Sequence, residues 1–537
     1  MLEILDCIIV GRNVVDFEKI SADARRNENK SGNYHHIKAN TINYQGKRIS
    51  YMDLLNQILT DVKGRDYQLN TAHLPNLGVI YLQSYLARRN FSVETINYFN
   101  IEKARLAELL KKEVTSVAIS TTFYTEIDPI VEVVKFIRTH NQDVKIIVGG
   151  PHIFNICTYY DEKTQKYLFK TMGADIYIHD SQGEETLGKV LSELKAGKTD
   201  NLEQIPNLIY TGDGKTYTRT VRQIENNNLD ENAIDWSLVD KRLFVPIATM
   251  RTSRSCPFSC AFCTYPHIAG KYTLTSLDVL EREFTQLKEA GVKYIFFTDD
   301  SINIPIPRFK DMLRMMIRNQ FNFKWFSHIR CANLDDEAID LMKESGCFGV
   351  DMGIESGNQT ILNNMNKKAT VDEYRYSIPR LNQKGIITFG SFIAGFPGET
   401  EDTIRNTIDF INETALQFYQ VELYIHLPTT PINQRAAEFG LIGGGYSWKH
   451  NTMDWSKAAY MIEYMYENIY NSIVNPRQNF GAWAIPYLIW NGISLPQYKE
   501  YLKICHEMSI KNIDDSDHDD SESISKMKEL FMNCKVN

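Results

Sequence analysis

The sequence predicts an α/β protein: two successive regions of parallel sheet, the second an open (β/α)6 partial barrel, followed by a C-terminal helical cap. Two observations carry this. Short apolar runs rich in β-branched and aromatic residues alternate with helical patterns from residue 4 to about 179, and again from 244 to 427. Beyond 430 the alternation stops and Tyr and Trp become frequent. Strands separated by helices are joined by right-handed crossovers, so each region folds as a parallel sheet.

In the first region the strands are ILDCIIVG (4–11), FSVETINYF (91–99), VTSVAIST (114–121), VKIIVGG (144–150) and ADIYIH (174–179), with helices at 76–89, 101–112 and 126–139. These are runs for strands buried on both faces, as a doubly wound, Rossmann-like sheet requires. The absence of G-x-G-x-x-G disfavours a dinucleotide. TGDGKTYTRT and QIENNNLDENAIDW (within 211–243) then read as a hairpin and linker.

The second region opens with FVPIATM (244–250). A helix through Leu277, Leu280, Phe284 and Leu287 stops at Gly291. YIFFTDD, FKWFSHIR (323–330), FGVDMGIES (348–356), IITFGSFIAGF (386–396) and FYQVELYIHL (418–427) follow as strands, with helices at 307–319, 335–345, 371–384 and 400–413. The expected domains are therefore 1–210, a linker 211–243, a barrel 244–430 and an aromatic-rich cap 431–537. Most of Trp448, Trp455, Trp483, Trp490 and the surrounding tyrosines belong in a core, with some lining a substrate pocket.

Composition narrows the function. The chain has 537 residues, a formal net charge of −8 and no Lys/Arg-rich block, so nucleic acid and anionic membranes are poor partners. No apolar run is long enough to span a bilayer and the N-terminus lacks a basic flank, which leads to the expectation of a cytoplasmic protein. DDSDHDDSESIS (514–525) reads as a solvated acidic linker to a last short helix.

Of nine cysteines, three are packed into one segment, RTSRSCPFSCAFCTYP, as Cys256-x-x-x-Cys260-x-x-Cys263. The other six, Cys7, Cys157, Cys331, Cys347, Cys505 and Cys534, are scattered singly and read as buried small hydrophobes. A [4Fe–4S] cluster normally takes four thiolates, so three alone leave one iron open for a substrate or cosubstrate. Zinc would want a fourth ligand nearby, and His267 in a Pro-containing loop is the nearest candidate.

The spacing resembles that of the radical S-adenosylmethionine (SAM) superfamily. In that family the methionyl amine and carboxylate chelate the open iron, and reductive cleavage of SAM gives a 5′-deoxyadenosyl radical. The polar residues fall at strand C-terminal ends, where β/α barrels do chemistry: Thr298-Asp299-Asp300-Ser301, His328 and Arg330, Glu355-Ser356, Gly395 to Glu399, and His426 with Thr429 and Thr430. GIESGNQTILNNMNKK and FIAGFPGET look like family signatures. By resemblance Phe262 packs near the adenine, Glu355 or Ser356 binds the ribose, Arg330 the carboxylate, and Ile393-Ala-Gly395 the adenine. Asp299-Asp300 stands where the family has Gly-Gly-Glu; either carboxylate accepts the SAM ammonium or serves as a cap.

In the first region LPNLGVIYLQSYLARRNFSVETINYF, VAISTTF, IIVGGPH and SQGEETLGKVLSEL resemble the cobalamin-binding domain of B12-dependent radical SAM enzymes. That likeness assigns Ser120, Thr121, Thr122, Gly149 and Gly150 to the cofactor's nucleotide tail. The D-x-H-x-x-G motif for a cobalt-ligating His is missing, and His73 reads as a loop residue. DCIIVGRNVVDF and YQGKRISYMDLL are similar to the subgroup of natural-product methylases that acts on phosphinate phosphorus or tryptophan C2. The resemblance thus implies a class B methyltransferase using a [4Fe–4S] cluster, SAM and cobalamin. It would need a reductant such as flavodoxin or ferredoxin and act on a poorly nucleophilic carbon or phosphorus of a small-molecule or peptide intermediate. A cobalamin-containing radical enzyme that rearranges, cyclises or oxidises without methylating is the alternative.

Overall fold

The computed structural model describes residues 4–14, 17–511 and 519–536. The chain divides into two compact units. One comprises Met1–Asp16, Ala72–Ser255 and Tyr265–Phe296; the other comprises Phe17–Thr71, Cys256–Thr264 and Phe297–Asn537.

The sheet of the first unit contains β1 (Leu5–Arg12), β2 (Val93–Tyr98), β3 (Val114–Ser120), β4 (Lys145–Gly149), β5 (Ile176–Ile178), β6 (Leu208–Tyr210) and β7 (Thr218–Arg219), in the order β2-β1-β3-β4-β5-β6-β7. β1 to β5 pair in parallel, β6 pairs antiparallel with β5, and β7 pairs antiparallel with β6 to close a hairpin. Both faces are covered, which is why the central strands carry apolar runs such as CIIV in β1, VAI in β3 and IIV in β4. One core joins the sheet to Leu106, Ile130, Val133 and Phe169; the other joins it to Val79, Leu86, Leu187 and Val190. The strand order reverses between β1 and β3, the position where doubly wound sheets bind ligands.

The second large sheet runs β8 (Ile247–Met250), β9 (Tyr294–Phe297), β10 (Lys324–Ile329), β11 (Cys347–Glu355), β12 (Ile387–Ala394), β13 (Phe418–Leu423) and β14 (Ile473–Val474), in that order. All six expected strands are present, the first beginning at Ile247 rather than 244. The seventh, β14, pairs in parallel with β13 and is too short to leave a pattern in sequence. The intervening helices start where short polar side chains cap them. Ser276 accepts from the N–H of Val279, Asp335 from that of Ala338, and Thr370 with Glu373 forms a capping box. Gly291, at φ +96°, ends the helix Leu277–Ala290 as expected.

Strand alternation sorts the second sheet into two faces. Trp325 meets Phe309 of the helix Ile306–Arg318 at 6.4 Å, Phe392 meets Phe410 of Glu401–Thr414 at 6.4 Å, and Tyr419 meets Tyr466 of Trp455–Asn468 at 6.2 Å. Those positions face the helices. His328 and Arg330, Asp351 and Glu355, Ser391 and Ile393, and Gln420 and Glu422 alternate with them and occupy the inner face, so the polar residues of these strands share one side.

Residues 17–71, expected within a 1–210 domain, pack instead in the second unit. Their helix Tyr51–Lys63 opens on a Ser50/Asp53 capping box and stops at Gly64. It is fastened to the C-terminal region: the Tyr501 hydroxyl donates to the Tyr51 carbonyl (2.5 Å), Lys63 Nζ to the Met532 carbonyl (2.8 Å) and Arg65 Nη2 to the Val536 carbonyl (2.9 Å). The acidic stretch 514–525 lies partly outside the described residues; its end joins a helix, Ser521–Met532. No described helix is long and apolar enough to cross a membrane.

Candidate active site

Cys256, Cys260 and Cys263 sit on a loop held in place by backbone contacts. The Ala261 N–H donates to the Met365 carbonyl (2.7 Å), and the Ala261 carbonyl accepts from the Ile432 N–H (3.0 Å). Asn366 Nδ2 donates to the Ser259 carbonyl (2.8 Å). Met365 and Asn366 follow the helix Gln359–Asn364, a short polar helix that sequence periodicity did not reveal. None of the nine cysteines is joined in a disulfide, and Cys260 is buried. Burial pushes the Cys7 and Cys331 thiols up to about 12, fitting the inert role expected of them. Burial also raises the Cys256 thiol, while the Phe258 N–H that donates to it pulls the other way. A half-buried thiolate of this kind needs a cation to replace its proton, which the iron of a cluster would supply. Among the described residues no three His, Cys, Asp or Glu side chains are grouped to share one metal ion. A cubane asks for no such group, because each thiolate meets a different iron.

Arg330 lies beside this loop. Its backbone is fixed by Asn303, whose Nδ2 donates to the Arg330 carbonyl (2.8 Å) and whose Oδ1 accepts from the Arg330 N–H (2.9 Å). Phe258 stands 3.7 Å over the guanidinium. Arg330 is only 5% exposed, yet Nε and Nη2 have no acceptor in the protein. A buried guanidinium with unmatched donors is costly unless a ligand completes it, and a carboxylate matches its planar fork. The residues present therefore fit the carboxylate of SAM.

The other expected residues gather on the same sheet. Glu355, in the left-handed region at φ +69°, sits at an irregularity in the β11–β12 ladder and forms a buried ion pair with Lys367 (2.8 Å). Lys367 also lies 5.6 Å over the Phe262 ring, and Phe262 meets Phe396 edge-on at 6.4 Å. Ser356 is buried and its hydroxyl accepts from the Asn358 N–H (3.1 Å), so that oxygen already has work in the turn. Ile393 is on the inner face of β12. Gly395, at φ +88°, tolerates no side chain: a Cβ would stand 2.5 Å from Trp448. Its N–H donates to the Glu399 carboxyl group (2.5 Å). After β9, Asp299 is buried and Asp300 exposed.

One line of residues was not legible in the sequence. His328 Nδ1 lies 3.0 Å from Asp351 Oδ2, the Ser391 hydroxyl donates to Asp351 Oδ1 (3.3 Å), and Gln420 Nε2 donates to Ser391 (3.0 Å). Four consecutive strands contribute one residue each. Burial pulls the His328 pKa down, but the Asp351 hydrogen bond and the charges of Asp351, Asp300 and Asp299 outweigh it and raise it. Trp483 stands edge-on to His328 at 5.4 Å.

In the first unit, Thr121 is buried and joins the ends of β3 and β4. Its hydroxyl donates to the Gly149 carbonyl (2.8 Å) and accepts from the His152 N–H (3.2 Å). Gly150, at φ +106°, would bring a Cβ within 3.0 Å of that hydroxyl. Ser120 and Thr122 share a hydrogen bond (3.2 Å), and a Cβ on Gly78 would approach both, so Gly78 belongs to the same crevice. At the ends of β4 and β5, His152 Nε2 and His179 Nε2 are buried with no partner. Burial and then the Arg222 and Arg219 charges push His179 down to about 4. Orphaned ring nitrogens beside a close-approach glycine fit a bound cofactor. His73 lies 5.7 Å from the Tyr98 ring.

Residues 250–411 match the Radical SAM superfamily. The chain is 27% identical over 392 residues to an uncharacterized methyltransferase of Pyrococcus horikoshii, covering 71% of this chain and 81% of that protein. It is 24% identical to the anaerobic magnesium-protoporphyrin IX monomethyl ester cyclase of Cereibacter sphaeroides, over 62% of this chain and 55% of that protein. Among solved structures it is similar to the radical SAM methyltransferase TsrM of Kitasatospora setae with cobalamin and [4Fe–4S] cluster bound (TM-score 0.55, 18% identity, 68% and 72% coverage). It is similar also to the cobalamin-dependent SAM radical enzyme OxsB with aqua-cobalamin (TM-score 0.57, 14% identity, 90% of both chains). The three-cysteine loop and the unmatched buried guanidinium beside it both fall within the segment that matches this superfamily, so residues 250–411 form the radical SAM part of the enzyme, and the chemistry of that superfamily rests on a [4Fe–4S] cluster and SAM.

Proposed function

We propose that the protein is a cobalamin-dependent radical SAM methyltransferase acting on a poorly nucleophilic carbon or phosphorus of a small-molecule or peptide intermediate. The observation that carries the reading is a doubly wound sheet in a radical SAM chain whose strand ends carry the close-approach Gly150 and, after β4 and β5, the orphaned ring nitrogens of His152 and His179. When bound, the cluster with SAM supplies a 5′-deoxyadenosyl radical and cobalamin a methyl group.

The protein's part is to hold and orient. Cys256, Cys260 and Cys263 are the cluster ligands, on a loop pinned through Ala261. Arg330 receives the SAM carboxylate on Nε and Nη2, and Asp299 or Asp300 its ammonium. Lys367 sets the rotamer of Glu355 for the ribose, and Ile393, Gly395 and Phe262 border the adenine. Ser120, Thr122, Gly149 and Gly150 cradle the nucleotide tail of cobalamin, with Thr121 holding the cradle's shape. A reductant such as flavodoxin or ferredoxin delivers the electron. The domains on this reading are 1–210 for cobalamin, without 17–71, then the linker 211–243, the barrel 244–430 and the cap 431–537.

The test is the metal and cofactor content of the chain purified without oxygen from cobalamin-fed cells. About four irons and about one cobalamin per chain are expected, with Cys260→Ala losing the iron and all SAM cleavage. Four irons without cobalamin would defeat the methyltransferase reading. A second reading, a non-methylating radical reaction, draws on the cyclase relative; a product heavier by one CH2 decides against it.

A further inference from the structure

The line His328, Asp351, Ser391, Gln420 dictates the polarity of its own end. Asp351 as a carboxylate only accepts, so Ser391 must give it the hydroxyl proton (3.3 Å). Having one proton, Ser391 must then accept from Gln420, which turns Nε2 toward Ser391 (3.0 Å). The amide is thereby oriented, and Oε1 is left buried with no partner. Glu422, two residues on along the same face, repeats the pattern. Its Oε2 takes His36 (3.4 Å) and Arg477 (3.3 Å), while Oε1 is buried with no partner.

The inner face of β13 thus presents two buried acceptors, one of them a carboxylate oxygen, and withholds the matching donors. A carboxylate or other acceptor-only ligand would meet unpaired oxygens; a group rich in N–H bonds completes both. We propose that this face binds the substrate through a protonated primary amine, whose N–H bonds go to Gln420 Oε1 and Glu422 Oε1. Ser391 and Asp351 are positioning residues that keep the Gln420 carbonyl toward the ligand. The inference takes the inner face as the substrate side and so rests on the enzymatic reading above.

The experiment titrates the full, iron-loaded chain with n-butylammonium and, separately, with butyrate, following binding by saturation-transfer NMR. Butylammonium should bind at least about tenfold more tightly than butyrate, and Gln420→Leu and Glu422→Gln should each weaken it about tenfold, with iron content and melting temperature unchanged. Ser391→Ala should weaken it too, because the Gln420 amide is then free to flip. Saturating S-adenosylhomocysteine should leave butylammonium binding intact, which separates this site from the one for the ammonium of SAM. Equal binding of butyrate, undiminished binding in both variants, or displacement by S-adenosylhomocysteine would overturn the proposal. An iron-loaded, reduced chain that binds butylammonium through Gln420 but never cleaves SAM would sink the enzymatic reading and leave this one standing.

Discussion

Glu399→Gln tests how the turn beneath the expected adenine site is held. Glu399 is 2% exposed and its carboxyl accepts from the Gly395 N–H at 2.5 Å. Burial pushes that carboxyl from near 4.5 up to about 8, against the pull of the Gly395 and Phe396 N–H groups. At neutral pH the folded chain therefore keeps a proton that the unfolded chain has lost. A group whose folded pKa is raised in this way favours folding less as pH rises. The slope is about −1.4 kcal/mol per pH unit between roughly 5 and 7.5, and the whole window is worth roughly 5 kcal/mol. Glutamine keeps an acceptor for Gly395 and cannot ionise. The stability difference, wild type minus variant, should fall by about 3 kcal/mol between pH 5.5 and 7.5. Urea unfolding followed by tryptophan fluorescence reads it, and Trp448 is well placed because it packs against Gly395. A difference that stays constant across that range would mean that Glu399 is ionised, with the turn held by charge rather than by a protonated acid.

Three other substitutions separate the site's parts. Gly150→Val puts a Cβ 3.0 Å from Thr121 Oγ1 at a φ of +106°, and should lower cobalamin retention about tenfold while iron content stays put. Arg330→Met removes a buried fork with two unmatched donors, and should weaken S-adenosylhomocysteine binding about 100-fold by calorimetry without loss of iron. Lys367→Met leaves Glu355 buried and unpaired, and should destabilise the unit by about 3–5 kcal/mol; adding Glu355→Gln should recover much of that, as a urea midpoint will show.

What the sequence disclosed was local or periodic. The cysteine triplet occupies eight consecutive residues, the strands of both sheets carry short apolar runs, and the helices carry their caps and terminal glycines in the chain itself. What it concealed depends on packing. Tyr51 to Lys63 looks like an ordinary amphipathic helix of the N-terminal region, and only its contacts with Tyr501 and Met532 assign it to the second unit. Strand β14 is two residues long, and Gln359–Asn364 too short and polar to show a period. Arg330 was legible as a strand-end residue; that its donors go unmatched was not.

The polar line across β10 to β13 was beyond sequence reading for a sharper reason. Asp351, Ser391 and Gln420 each look like a polar interruption of an apolar strand, and nothing local says that they meet. They meet because of register: His328 lies opposite Asp351, and Ser391 opposite Gln420. A slip of one residue in β13 would put Val421 opposite Ser391 and send Gln420 toward the helices, since side chains alternate with a period of two. Tyr419, packed against Tyr466 on the helix side, and Leu423 behind it forbid that slip by their burial. The apolar residues between the polar ones therefore set where the acceptors point, and a ligand's chemistry on the inner face is chosen in part by the packing on the outer one.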